Sequence, residues 1–141
     1  MIDTRTAPYA ATLLRLSLGG MFIAHALLKL VVFTLPGTVR FFVSVGFPGW
    51  TAYVVFAAEL VGGVLLVLGV QTRAVALALV PILLGALYVH IGNGWVFSAA
   101  NGGWEYPLFL IAASRVQALL GDGAFALRIG RSEPRGAPVA A

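Results

Sequence analysis

Cysteine is absent from the 141 residues. That excludes a disulfide framework, thiolate metal sites, haem attachment through thioethers and a thiol relay within this chain, so any redox role has to borrow a cofactor. Charge is scarce as well: Asp, Glu, Lys and Arg make up 10% of the residues, against 60% hydrophobic ones, and mean hydropathy is +0.98. Soluble domains carry roughly 25% charged residues, so this composition belongs in a bilayer. Lipid is the expected surrounding, and nucleic acid is not an expected partner.

A hydrocarbon core of ~30 Å needs about 20 apolar residues per helix, which allows four crossings plus short connections. The first apolar run extends from Ala10 to about Val32, interrupted by Arg15, His25 and Lys29. A cleavable signal peptide has a shorter, uncharged apolar stretch, so this run reads as a retained first helix. Pro36, Gly37, Gly46, Pro48 and Gly49 break the following segment. Between them Thr38 to Val45, with Arg40 beside Phe41 and Phe42, suits a short stretch lying in the interface. The second helix runs from Thr51 to Val70 with Glu59 as its one charge, and Gln71-Thr72-Arg73 makes a tight turn. The third runs from Ala74 to about Ile91; its Pro81 is tolerated where neighbouring helices satisfy the freed carbonyl. The fourth runs from Trp104 to about Leu120 and is closed by Gly121-Asp122-Gly123. The predicted fold class is therefore an all-α membrane protein, a four-transmembrane-helix bundle with an interfacial segment between helices 1 and 2. It occupies residues 1–123, with helices at about 10–32, 51–70, 74–91 and 104–120. Residues 124–141, with Arg128, Arg131, Arg135, Pro134 and Pro138, have the composition of a disordered basic tail.

An even number of crossings places Arg5, Arg73 and the three tail arginines on one side and chiefly Lys29 and Arg40 on the other. By the positive-inside rule both termini are cytoplasmic. Trp50, Trp95 and Trp104 then fall at the outer interface, where amphipathic rings are enriched.

Four ionisable side chains interrupt the four apolar runs: His25, Glu59, His90 and Glu105. A rise of ~1.5 Å per residue puts His25 about 22 Å and His90 about 24 Å from the inner ends of their helices, and Glu59 about 12 Å below the outer end of its own. Glu105 opens the fourth helix at the outer boundary. Lys29, four residues after His25, shares its helix face, and Asn93 follows His90 closely. An ionisable group in hydrocarbon is costly unless paired or wet, so this convergence at one level marks a ligand site or a buried polar network. Plainer readings stand beside it. Lys29 can snorkel to headgroups, Glu105 suits the helix dipole without any further role, and the whole network can serve only to hold the bundle together. Arg15 and Arg115 read as anchors near inner helix ends. Gly19, Gly20, Gly62, Gly63 and Gly85 read as contacts for close helix packing, within the bundle or in a homo-oligomer.

The strings Leu13-Leu14-Arg15-Leu16 followed by His25 and Lys29, Ala58-Glu59-Leu60-Val61-Gly62-Gly63, Gly69 with Thr72-Arg73, His90 with Asn93-Gly94, and Gly103-Trp104-Glu105-Tyr106 resemble the DoxX family of bacterial membrane proteins. The resemblance covers about residues 12 to 122. It implies a four-helix protein of the bacterial inner membrane with a link to quinone or sulfur redox chemistry, since the family takes its name from the small subunit of an archaeal thiosulfate:quinone oxidoreductase. The leading expectation is a redox-associated subunit with a quinone or similar lipophilic molecule in its outer half, the electrons coming from a partner protein. His25 and His90 would bond carbonyls and Glu59 would relay protons. One alternative is a non-catalytic anchor for another complex. Another is haem or metal ligation by His25 and His90, although no intrinsic cofactor or metal site is predicted.

Overall fold

The computed structural model describes residues 3–96 and 98–127. The chain is helical throughout, with no strand among the described residues. Helix α1 spans Ala7–Leu27 and continues through one π-helical turn, Leu28–Val32. Then come α2 (Leu35–Ser44), α3 (Thr51–Leu68), α4 (Thr72–His90, followed by a 3-10 turn at Ile91–Asn93) and α5 (Glu105–Leu120). The four long helices form the expected bundle. Three of them, Ala7–Val32, Thr51–Leu68 and Thr72–Asn93, are long and apolar enough to cross a membrane. The fourth, α5, has 16 residues, or ~24 Å of helix.

Local chemistry sets the boundaries. Pro36, expected as a breaker, instead sits in the first turn of α2, where its missing N–H costs nothing. Thr34 Oγ1 accepts from Gly37 N at 3.3 Å and caps that turn. The interfacial helix therefore begins before Thr38. Helix α3 stops at Gly69, whose φ of +77° suits a left-handed C-cap.

Helix α1 packs most extensively on α3 and α4 on α5, while α3–α4 and α1–α5 contacts close the bundle. Leu18, Phe22, Leu66, Leu79, Leu83 and Ile111 fill its interior. At the α1–α3 crossing the backbones meet: a Cβ on Gly19 would lie 2.8 Å from the Gly63 carbonyl oxygen, and one on Gly63 would lie 2.9 Å from that of Gly19. Gly62 makes room for Leu79 of α4. The other two expected packing glycines differ, since a Cβ on Gly20 or Gly85 would meet nothing within 4 Å. Nothing in the bundle needs those two to be glycine.

The end of the bundle at the start of α1 and the end of α5 is tied by backbone bonds. Ala124 N donates to Pro8 O at 3.0 Å and Leu127 N to Leu68 O at 2.9 Å. The packed chain thus reaches Leu127, past the boundary expected at residue 123. The arginine-rich stretch 128–141 lies outside the described residues.

Candidate functional site

At the opposite end, α1 and α3 are joined by an ion pair. Lys29 Nζ lies 2.7 Å from Glu59 Oε2, with side-chain exposures of 15% and 8%. Lys29 therefore does not snorkel away; it turns inward to a carboxylate half-way down its neighbour. Lys29 stands in the π-helical turn Leu28–Val32 that continues α1. Thr38 Oγ1 of α2 supplies a donor to Lys29 O at 3.3 Å and also bonds Thr34 O at 3.0 Å. Lys29 Nζ makes a longer contact with His25 O, 3.4 Å.

His25 is half-buried. Its Nδ1 lies 2.9 Å from Met21 O, and a carbonyl only accepts, so Nδ1 carries the proton and Nε2 remains for other partners. The ring stacks on Tyr106 of α5, with centroids 5.9 Å apart and planes inclined at 22°. The Tyr106 hydroxyl donates to Met21 Sδ, closing a ring of contacts between α1 and α5. Tyr106 also lines an open groove of about 500 Å³ with Trp95, Glu105, Leu108, Phe109 and Ala112. His25, Lys29 and Glu59 thus come together as expected, and Tyr106 joins them. Tyr106 is absent from the residues the sequence singles out as a site, although its place beside Glu105 at the start of α5 is a signal the sequence carries.

The remaining expected residues serve other contacts. His90 Nδ1 donates to Ala86 O of its own helix at 2.7 Å, and it has no hydrogen bond to the Lys29–Glu59 pair. Asn93 Nδ2 donates to Asn101 O at 3.0 Å and Gly102 O at 2.9 Å, holding the α4–α5 loop. That loop is closed by Trp104 N to Gly94 O and Glu105 N to Trp95 O, both 3.1 Å, and by the edge-on Trp95–Trp104 pair, centroids 4.5 Å apart. Glu105 begins α5 at the mouth of the groove. It shares that wall with its neighbour Tyr106.

One further polar residue is placed differently from expectation. Arg15 is 1% exposed, so it is a buried side chain and not an interfacial anchor, whereas Arg115 is exposed.

The DoxX family model matches residues 10–92, more than half of the chain. The chain belongs to the DoxX family. The matched stretch holds His25, Lys29, Glu59 and His90, and leaves out α5 with Glu105 and Tyr106. A protein of Bacillus subtilis (strain 168) named "Putative oxidoreductase CatD" is 43% identical over 75 residues, which are 53% of this chain and 54% of that protein. This chain thus aligns with about half the length of that relative. No solved structure matches it.

Proposed function

We propose that this DoxX-family membrane protein is a redox-associated subunit of the bacterial inner membrane, both termini cytoplasmic, that binds a quinone or similar lipophilic small molecule in the outer half of its bundle. The observation that carries the reading is the buried Lys29–Glu59 pair set beside a histidine whose one committed nitrogen leaves the other for a ligand. Reducing a quinone takes two electrons and two protons, and this chain supplies groups for the protons alone. His25 Nε2, neutral, accepts from a hydroxyl; protonated, it donates to a carbonyl. Glu59 and Lys29 pass a proton along a bond already made, and Tyr106 and the apolar groove provide a wall for a ring and tail. Electrons come from a partner protein. A relative named as an oxidoreductase supports the redox class. Of the two histidines, His25 stands beside the Lys29–Glu59 pair and Tyr106, so the reading rests on His25.

The test is quinone content, measured by extraction and chromatography from purified wild type, His25→Gln and Tyr106→Leu. Wild type is expected to retain quinone and both variants to lose most of it with little change in melting temperature, because glutamine keeps a hydrogen bond but cannot titrate near neutral pH. Equal retention in all three sinks the proposal. An absorption spectrum of the same samples reads out the haem alternative, in which a Soret band depends on both His25 and His90.

A further inference from the structure

His25 and His90 bond the backbone in the same way. His25 Nδ1 donates to Met21 O at 2.9 Å and His90 Nδ1 to Ala86 O at 2.7 Å. A carbonyl four residues back lies beside any helical side chain that carries a donor, so this bond alone sets neither histidine apart. The residue that lends the carbonyl does. At position 86 it is alanine, whose side chain is a methyl group, and at position 21 it is methionine, one of two in the chain, the other being Met1.

Met21 meets His25 from two directions. Its backbone oxygen holds the edge of the imidazole, and its sulfur accepts from the Tyr106 hydroxyl of α5. The Tyr106 ring in turn lies on the face of the imidazole, with centroids 5.9 Å apart and planes inclined at 22°. The contacts close a circuit from Met21 O through the His25 ring, the Tyr106 ring and the Tyr106 hydroxyl to Met21 Sδ. Met21 is half-buried, and both it and Tyr106 pack against the apolar interior. A thioether is a weak acceptor that also favours contact with aromatic rings. Leucine has about the same volume and offers no lone pair.

We infer that Met21 is a positioning residue of the ligand site: its sulfur, through Tyr106, holds the imidazole against Met21 O, so that Nδ1 keeps the proton and Nε2 is the nitrogen left to a ligand. The inference takes the identity of that ligand from the quinone reading above, and the orientation of His25 from the contacts alone. Which ring nitrogen carries the proton follows from the hydrogen bond that the other groups allow. Without the sulfur the Tyr106 hydroxyl loses its acceptor, the phenol ring is no longer held on the imidazole face, and the imidazole turns away from Met21 O. Either nitrogen then carries the proton. At His90 the residue one turn back is Ala86, which offers its carbonyl and no side-chain acceptor.

Full-length Met21→Leu, Met21→Gln and Tyr106→Phe are compared with wild type in nanodiscs, and both Met21 variants are remade on the Tyr106→Phe background. Two quantities are read: affinity for decylubiquinone, and the His25 tautomer by nitrogen NMR of histidine-labelled protein without quinone, its signals identified by their loss in His25→Gln. Wild type is expected to show the Nδ1–H tautomer alone. Met21→Leu, which conserves volume, and Tyr106→Phe, which keeps the ring, are each expected to add the second tautomer and weaken binding about fivefold, the usual loss for one neutral hydrogen bond. Met21→Gln is expected to restore both quantities, since its amide oxygen accepts from the Tyr106 hydroxyl. On the Tyr106→Phe background the two Met21 variants become equivalent. A methionine that acts by packing alone gives the reverse order, because leucine suits an apolar seam and glutamine does not. Wild-type behaviour in Met21→Leu, or weaker binding in Met21→Gln than in Met21→Leu, overturns the inference. If wild type binds no decylubiquinone while the tautomer follows Met21 as expected, the positioning role stands and the quinone reading falls. If His25→Gln abolishes binding while Met21→Leu leaves it unchanged, the quinone reading stands and the positioning role falls.

Discussion

The Lys29–Glu59 pair lends itself to a double-mutant cycle, because its two halves sit on different helices and are almost dry. In Glu59→Leu the Lys29 ammonium keeps only its 3.4 Å contact with His25 O. An unpaired buried charge costs about 3–5 kcal/mol. With 15% of its side chain exposed, at the end of a helix, Lys29 recovers part of that by stretching toward the headgroups, which puts the loss near the lower bound, about 3 kcal/mol. Glu59→Gln keeps an acceptor of the same shape, so its loss is about 1–2 kcal/mol. Lys29→Met leaves the buried Glu59 side chain without its partner, at about 2 kcal/mol. Removing both charges, in Lys29→Met with Glu59→Leu, deletes the desolvation penalty along with the attraction, and the double variant is expected within about 1 kcal/mol of wild type. The cycle then yields a coupling energy of several kcal/mol, far above the ~0.5 kcal/mol scatter of independent sites. Thermal melting in detergent is the assay, with Glu59→Leu about 10 °C below wild type and the double variant close to it. Losses that simply add would refute the pairing, and a Glu59→Leu variant as stable as Glu59→Gln would place the carboxylate among headgroups or solvent.

Two other measurements check the architecture. Because Ala124 is bonded to Pro8 and Arg5 and Arg73 lie toward that end, reporters fused at residues 1 and 141 should both read cytoplasmic, and a periplasmic reading at either end would invert the placement of the site. Gly63→Ala drives a methyl group to 2.8 Å from Ile23 and 2.9 Å from the Gly19 carbonyl, so it should cost about 1–3 kcal/mol. Gly20→Ala meets open space and should be neutral or stabilising by up to ~1 kcal/mol through helix propensity; similar melting temperatures for the two would show that α1 and α3 do not cross at Gly19 and Gly63.

Much of this architecture can be read without coordinates, since hydropathy runs and turn residues report on the chain locally. The spans beginning near Ala10, Thr51, Ala74 and Trp104 recur as helices within a few residues, and the misplaced start of α2 came from reading Pro36 as a stop when a first-turn proline is equally a start. Depth is also local, because rise per residue is constant; His25, Lys29 and Glu59 could be put on one level by counting.

Which way each side chain faces is another matter. These helices are apolar nearly all round, so the sequence holds little amphipathic signal to fix their rotation. Rotation is decided by where backbones can approach, and here that is the Gly19–Gly63 crossing, which separates two glycines that pack from two that do not. The same packing turns Arg15 into the bundle, where it reaches Ala124 O, although counting along the helix places it near the interface. It sets Tyr106 against His25. The π-helical turn, invisible in composition, holds Lys29, whose ammonium meets Glu59 of α3. The sequence by itself determined that the chain is a helical membrane protein with ionisable groups at one depth. Only the tertiary structure decided which of them meet, because a hydrogen bond needs a direction as well as a level.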